Sequence, residues 1–127
     1  MAKLSIRTPC TTFTLEDILC CVFGLKHFDV SVYFLLLNRK NLKVNEIADI
    51  LNRDRSTVQR SVQNLISAGL VKRRQVNLKD GGYCYIYEAV PFDDIKKSIK
   101  TSLKKWCDEV IYWIDNIDEE KITESIN

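Results

Sequence analysis

The sequence predicts a mainly α-helical α+β domain with one antiparallel hairpin and a long C-terminal helix. Three observations predict it. Between Thr14 and Ala68, apolar residues recur every three or four places behind capping residues. The run "YCYIYEAV" (83 to 90) alternates aromatic residues with others at every second position, just after an Asp-Gly turn. Ile99, Leu103, Trp106, Val110, Trp113 and Ile117 then follow at spacings of 4, 3, 4, 3 and 4.

Taken in order, Thr14 with Asp17 resembles a capping box, aspartate replacing the usual glutamate, and opens a first helix reaching Leu25. Asp29 is expected to cap a second helix, Val30 to Asn38, so uniformly apolar that most of it must be buried at the centre of the core. "LKV" (42 to 44) suits a single edge strand, and Asn45 is expected to cap the short helix "EIADIL". The small Ala48 there lets another helix cross closely. After the break "NRD", Asp54 caps the next helix. At 100° per residue, Val58, Val62, Leu65 and Ile66 gather on one side. Ser56, Arg60, Gln63 and Ser67 point away from it, flanked by Gln59 and Asn64. Gly69 closes that helix, because glycine takes the left-handed conformation without strain. "LVKRRQV" and "YCYIYEAV" then pair around "NLKDGG" as the hairpin. Pro91 ends the hairpin, Asp93 begins the long helix to at least Ile117, and "ITESIN" is expected to be a frayed end.

Helix, helix, strand, short helix, turn, second helix, hairpin is the order of a winged helix-turn-helix with a two-stranded β-wing. Residues 1–92 are expected to form that unit with its N-terminal helix. Residues 93–127 form a C-terminal dimerisation helix within the same compact body. The six-residue seam, with two tryptophans, carries too much apolar area to stay bare in water. A homodimer joined at Ile99, Leu103, Trp106, Val110, Trp113 and Ile117 is the simplest cover. The other arrangement open to this helix is folding back on the first two helices of its own chain.

Charge is distributed unevenly. The chain has a net charge of +2, but residues 53–79 hold seven basic side chains against Asp54 alone, whereas residues 88–127 hold six basic and ten acidic ones. A local positive field of this kind attracts a polyanion. A helix entering the major groove needs side chains in its first turns that bond to base edges, and Ser56, Thr57, Gln59, Arg60 and Gln63 have that chemistry. Glutamine pairs with adenine N6 and N7, arginine with guanine O6 and N7. Arg55, in the first turn, is placed to meet a phosphate, and the amides of residues 55 to 57 suit a phosphate oxygen wherever Asp54 leaves room. Those of Lys72, Arg73 and Arg74 that face outward from the wing add affinity without sequence preference, as does Lys79 at its tip.

The stretch "VNEIADILNRDRSTVQRSVQNLISAGLVKRR" followed by "GGYCYIYEAV" resembles the MarR-like and TrmB-like transcriptional regulators, chiefly the small archaeal ones, over residues 30 to 90. Its most specific parts are I-A-x-x-L, S-T-V-x-R and L-x-x-x-G-L-V-x-R. The resemblance implies a sequence-specific regulator of double-stranded DNA acting as a homodimer on a palindromic operator, with a small-molecule effector of unstated kind. Such wings often carry arginine at the tip; here Lys79 stands beside Asp80. A TrmB-like sugar-binding domain would need more than 127 residues.

Other functions find less support. His27, the sole histidine, lies in a connection without a partner for general-base work, and the four glycines suit caps and turns rather than a phosphate-cradling loop. No enzyme, cofactor or metal is expected. Five cysteines without a C-x-x-C pair suit packing, although the vicinal Cys20 and Cys21 leave a redox-responsive regulator as one alternative. A winged helix used only for protein docking is the other. No apolar run reaches the roughly 20 residues of a membrane span, and the start lacks a signal peptide. The expected location is therefore the cytoplasm, with no membrane partner.

Overall fold

The computed structural model describes residues 5–7 and 12–126. Two short strands, β1 (Ser5–Arg7) and β2 (Thr12–Thr14), pair antiparallel with Ile6 opposite Phe13. This small hairpin was not anticipated from "SIRTPCTTF", where each strand is too short to show an alternation. Thr14 both ends β2 and caps α1 (Leu15–Phe23): its Oγ1 accepts from the Asp17 amide, and Asp17 Oδ2 accepts from the Thr14 amide. The predicted capping box is thus complete.

α2 (His27–Asn38) begins three residues earlier than expected, capped at Lys26, so Asp29 sits inside its first turn rather than at the cap. Asp29 Oδ2 still accepts from the Lys26 amide at 3.1 Å. His27 accordingly lies on a helix and not in a connection, with Nε2 3.8 Å from Asp17 Oδ1. α3 (Val44–Leu51) is capped at Lys43 and not at Asn45, because Glu46 Oε1 reaches back to the Lys43 amide at 3.0 Å. In both helices an acid in the first turn accepts the amide of the residue three before it. The expected edge strand at 42–44 shrinks to one bridge, Leu42 opposite Tyr87.

Asn52, at φ 54°, turns the chain out of α3, and Asp54 caps α4 (Arg55–Ala68). Asparagine tolerates this left-handed conformation better than most side chains. Gly69 closes α4, with the Leu70 amide donating to Leu65 O at 2.9 Å. The wing, β3 (Val71–Asn77) with β4 (Tyr83–Ala89), pairs from Val71↔Ala89 to Asn77↔Tyr83. Pro91 precedes α5 (Phe92–Asp115). Residues 119 to 126 are helical as α6 (Glu119–Ile126), which corrects the expected frayed end; the Lys121 amide donates to Asp118 Oδ1 at its start.

The core forms where α1, α2, α3 and α4 meet the wing. Val30, Val32, Tyr33 and Leu36 of α2 are buried together with Leu19, Ile47, Val58, Val62, Leu65, Leu70 and Tyr87. Since α2 is covered on nearly every side, its sequence shows no polar face. Ile95 and Ile99 are the last α5 residues to reach this core. Beyond them α5 is exposed to its end at Asp115. No single helix among the described residues is long and apolar enough to cross a membrane.

Candidate nucleic-acid interface

α4 carries the candidate site, and its orientation is fixed on two sides. Val58, Val62 and Leu65 anchor it in the core. Ser61 falls within the same buried stripe; its Oγ donates to Asp29 Oδ1 on α2 at 2.7 Å, and Asn64 Nδ2 donates to Asp29 Oδ2 at 3.5 Å. Asp29 is 3% exposed and Ser61 2%. A carboxylate so far from water has to be met by donors, and this one is. The sequence reading missed this clasp, although a serine inside an otherwise apolar stripe signals that a partner is needed.

The opposite face of α4 is open. Ser56, Gln59, Arg60, Gln63 and Ser67 are all exposed. Within the first turn, however, two predicted base readers are engaged: the Ser56 hydroxyl donates to Asp54 Oδ2, and the Thr57 hydroxyl to Asp54 Oδ1 at 2.6 Å. The Thr57 amide adds a third bond to that carboxylate at 3.2 Å. The Ser56 and Thr57 hydroxyl bonds, with the amide bond, hold the Asp54 carboxyl well below the usual carboxylate range. Asp54 therefore takes up one of the three helix-start amides expected to serve a phosphate, that of Thr57. Gln59, Arg60 and Gln63 make no side-chain hydrogen bond or ion pair among the described residues.

A groove flanks each side of this ridge. Toward the wing, about 230 Å³ of space is lined by the cap Lys43 and by Asn45 of α3, Arg55 and Gln59 of α4, and Tyr83 and Tyr85 of β4. On the other side, about 700 Å³ lies between the start of α2 and α4, with Lys26, Arg53 and Arg60 on its walls. Strand alternation separates the wing's basic residues. Arg73 shares a face with its partner Tyr87 and with Tyr85, and its guanidinium lies 4.1 Å from the Tyr85 ring centroid. Lys72 and Arg74 occupy the other face: Lys72 pairs with Glu88, and Arg74 Nη2 donates to Asn41 Oδ1 at 3.4 Å. Arg73 thus stands beside a tyrosine of the α4 groove, and the other two do not share its face. Lys79 is exposed in the turn, where Gly81 and Gly82 adopt φ values of 94° and 78° that side-chain-bearing residues resist.

The expected seam is divided too. Ile99 belongs to the intrachain core, and Leu103, Trp106, Val110 and Trp113 are exposed by 39%, 61%, 38% and 60%. Ile117 is off the helix, because α5 ends at Asp115 rather than reaching Ile117, which is half-buried in the break before α6. Ile111, Tyr112 and Ile114 widen the bare apolar surface. Cys20 is half-buried, and burial followed by the nearby Asp17, Asp29 and Glu16 carboxylates pushes its thiol pKa up, the direction opposite to a reactive thiolate. Cys10 lies outside the described residues.

Comparison with known proteins gives this geometry a context. A family model described as the sugar-specific transcriptional regulator TrmB matches residues 19–93, which run from within α1 to the start of α5 and contain the whole of the α4 ridge. A Methanocaldococcus jannaschii protein described as uncharacterized is 53% identical over 122 residues, covering 96% of this chain and 92% of its own. A second from the same organism is 41% identical over 109 residues, covering 86% and 90%. Among solved structures, a possible transcriptional regulator from Methanosarcina mazei superposes with a TM-score of 0.81 at 29% identity, over 93% of this chain and 100% of that one. A crystal structure of MarR shares the fold, with a TM-score of 0.51 at 19% identity over 87% and 82%. The winged helix with its exposed α4 ridge and the family match together show that the chain belongs to the TrmB family of transcriptional regulators.

Proposed function

We propose that the protein binds double-stranded DNA sequence-specifically as a homodimer, with α4 in the major groove and twofold symmetry matched to a palindromic operator. The observation that carries this reading is the ridge of Gln59, Arg60 and Gln63, uncommitted to other side chains among the described residues and backed by a rigid core. Side chains that bond to base edges are useful only where the protein has not already satisfied them. Arg60 and Gln63 read bases, with Gln59 beside them. Ser56 and Thr57 border the reading surface while serving the cap. Arg55 and Arg73 hold phosphates from the wing-side groove, and Lys72, Arg74 and Lys79 strengthen the field around it.

Pairing through Leu103, Trp106, Val110 and Trp113 supports the homodimer. The exposed apolar row has the three-and-four spacing by which a helix meets another lengthwise, and a second copy supplies the same row without a further partner. Half-sites about one helical turn apart follow from such a dimer.

Anisotropy titration against duplexes selected from source-genome fragments tests the reading. Arg60→Ala and Gln63→Ala should each cost about 1–3 kcal/mol on the preferred site and much less on a scrambled duplex. Wild-type protein that prefers no sequence, or variants that leave the preference intact, would overturn it.

A further inference from the structure

The groove between the start of α2 and α4 holds residues to which the reading above assigns no role. Lys26 precedes α2, and Arg53 precedes α4. Both are exposed, and among the described residues no carboxylate forms an ion pair with either. The Arg53 guanidinium lies 5.1 Å from the Phe28 ring centroid. Stacking of this kind restrains the long side chain while its in-plane N–H donors stay available. Lys26 is restrained through its backbone, whose amide donates to Asp29. Asp29, the acid in the groove wall, is buried and already receives Ser61 and Asn64. The lining therefore offers Lys26, Arg53 and Arg60 against one acid that has its own donors.

Position decides what these cations meet. On the helical wheel of α4, Arg55 lies toward the wing, Thr57, Arg60 and Asn64 lie toward α2, and Gln59 between them lines both grooves. A helix in the major groove, about 12 Å wide, is bordered by a phosphate strand on each side. With α4 so placed, the wing-side groove would face one strand. Lys26 and Arg53 stand on the opposite flank of the ridge, off α4 itself, where the second strand would run.

We propose that Lys26 and Arg53 form a seat for the phosphate backbone of duplex DNA on the α2 side of the recognition helix. The inference rests on the DNA-binding reading and adds a contact that reads no base. Paired cations held by an aromatic ring and a capped helix start suit a repeating anion, whereas the Gln59, Arg60 and Gln63 ridge suits base edges.

The test is the salt dependence of binding by the full chain, on its selected duplex and on a scrambled one. Each phosphate contact contributes about −0.9 to the slope of log K against log salt concentration. The double variant Lys26→Gln/Arg53→Gln should flatten that slope by roughly one to two and weaken both duplexes by the same factor, leaving their ratio unchanged. Arg53→Lys, which keeps the charge, should retain most of the slope. A double variant whose slope equals wild type overturns the seat while leaving the DNA reading intact. A changed ratio between duplexes also overturns it, since it would make the pair base readers. Wild-type protein that binds neither duplex overturns both readings together.

Discussion

Tyr33 joins the central helix to the exit of the wing. Its ring is fully buried, and its hydroxyl donates to Val90 O at 3.0 Å. Burial, reinforced by the Asp94 carboxylate, pushes its pKa from 10.0 up to about 12. The folded state therefore holds the phenolic proton more tightly than the unfolded chain. That stability is fully present below pH 10 and is lost as pH rises toward about 12. Tyr33→Phe should cost about 1 kcal/mol at neutral pH, measured by urea denaturation. The gap between variant and wild type should narrow over the alkaline interval; a constant gap would show that Tyr33 does not titrate with folding. Composition alone placed this residue in a buried helix, but its carbonyl partner is 57 positions away and had no local signature.

At the scale of elements, α4 was the most legible part of the molecule. Its cap, apolar stripe and closing glycine are local features, and local features survive folding unchanged. The starts of α2 and α3 were less legible because Asp29, read as a cap, and Glu46, read as the neighbour of one, both act from inside the first turn and reach back to a lysine amide. For Lys72, Arg73 and Arg74 the sequence leaves open which of them share a face, and the register of β3 with β4 puts Arg73 on one face and Lys72 and Arg74 on the other. The Asp29–Ser61 clasp joins helices 32 positions apart and was invisible except as a misplaced serine. Ser61→Ala leaves a buried carboxylate oxygen short of a donor. It should cost about 2 kcal/mol, seen as a lower urea midpoint at unchanged slope. An unaltered midpoint would mean that Asn64 and the Lys26 amide satisfy Asp29 alone.

For the whole molecule, the governing feature is that α5 contributes no buried residue after Ile99. Heptad spacing made the seam readable. It could not show where the intrachain core stops claiming it, because Ile95 and Ile99 carry the same pattern as the bare residues after them. Trp106→Glu/Trp113→Glu should convert the protein to a single-chain species by light scattering at micromolar concentration. Its intrinsic affinity for one half-site should remain, and the advantage of a full palindrome should vanish. A wild-type mass of one chain would remove the basis for pairing along α5.

Under that pairing, abundance itself becomes an input to the gene. While assembled pairs are scarce, doubling the supply of chains quadruples the competent species. A cell making slightly more of this protein would thus cross a threshold rather than climb a ramp. The bare tryptophans on α5 would set where that threshold lies.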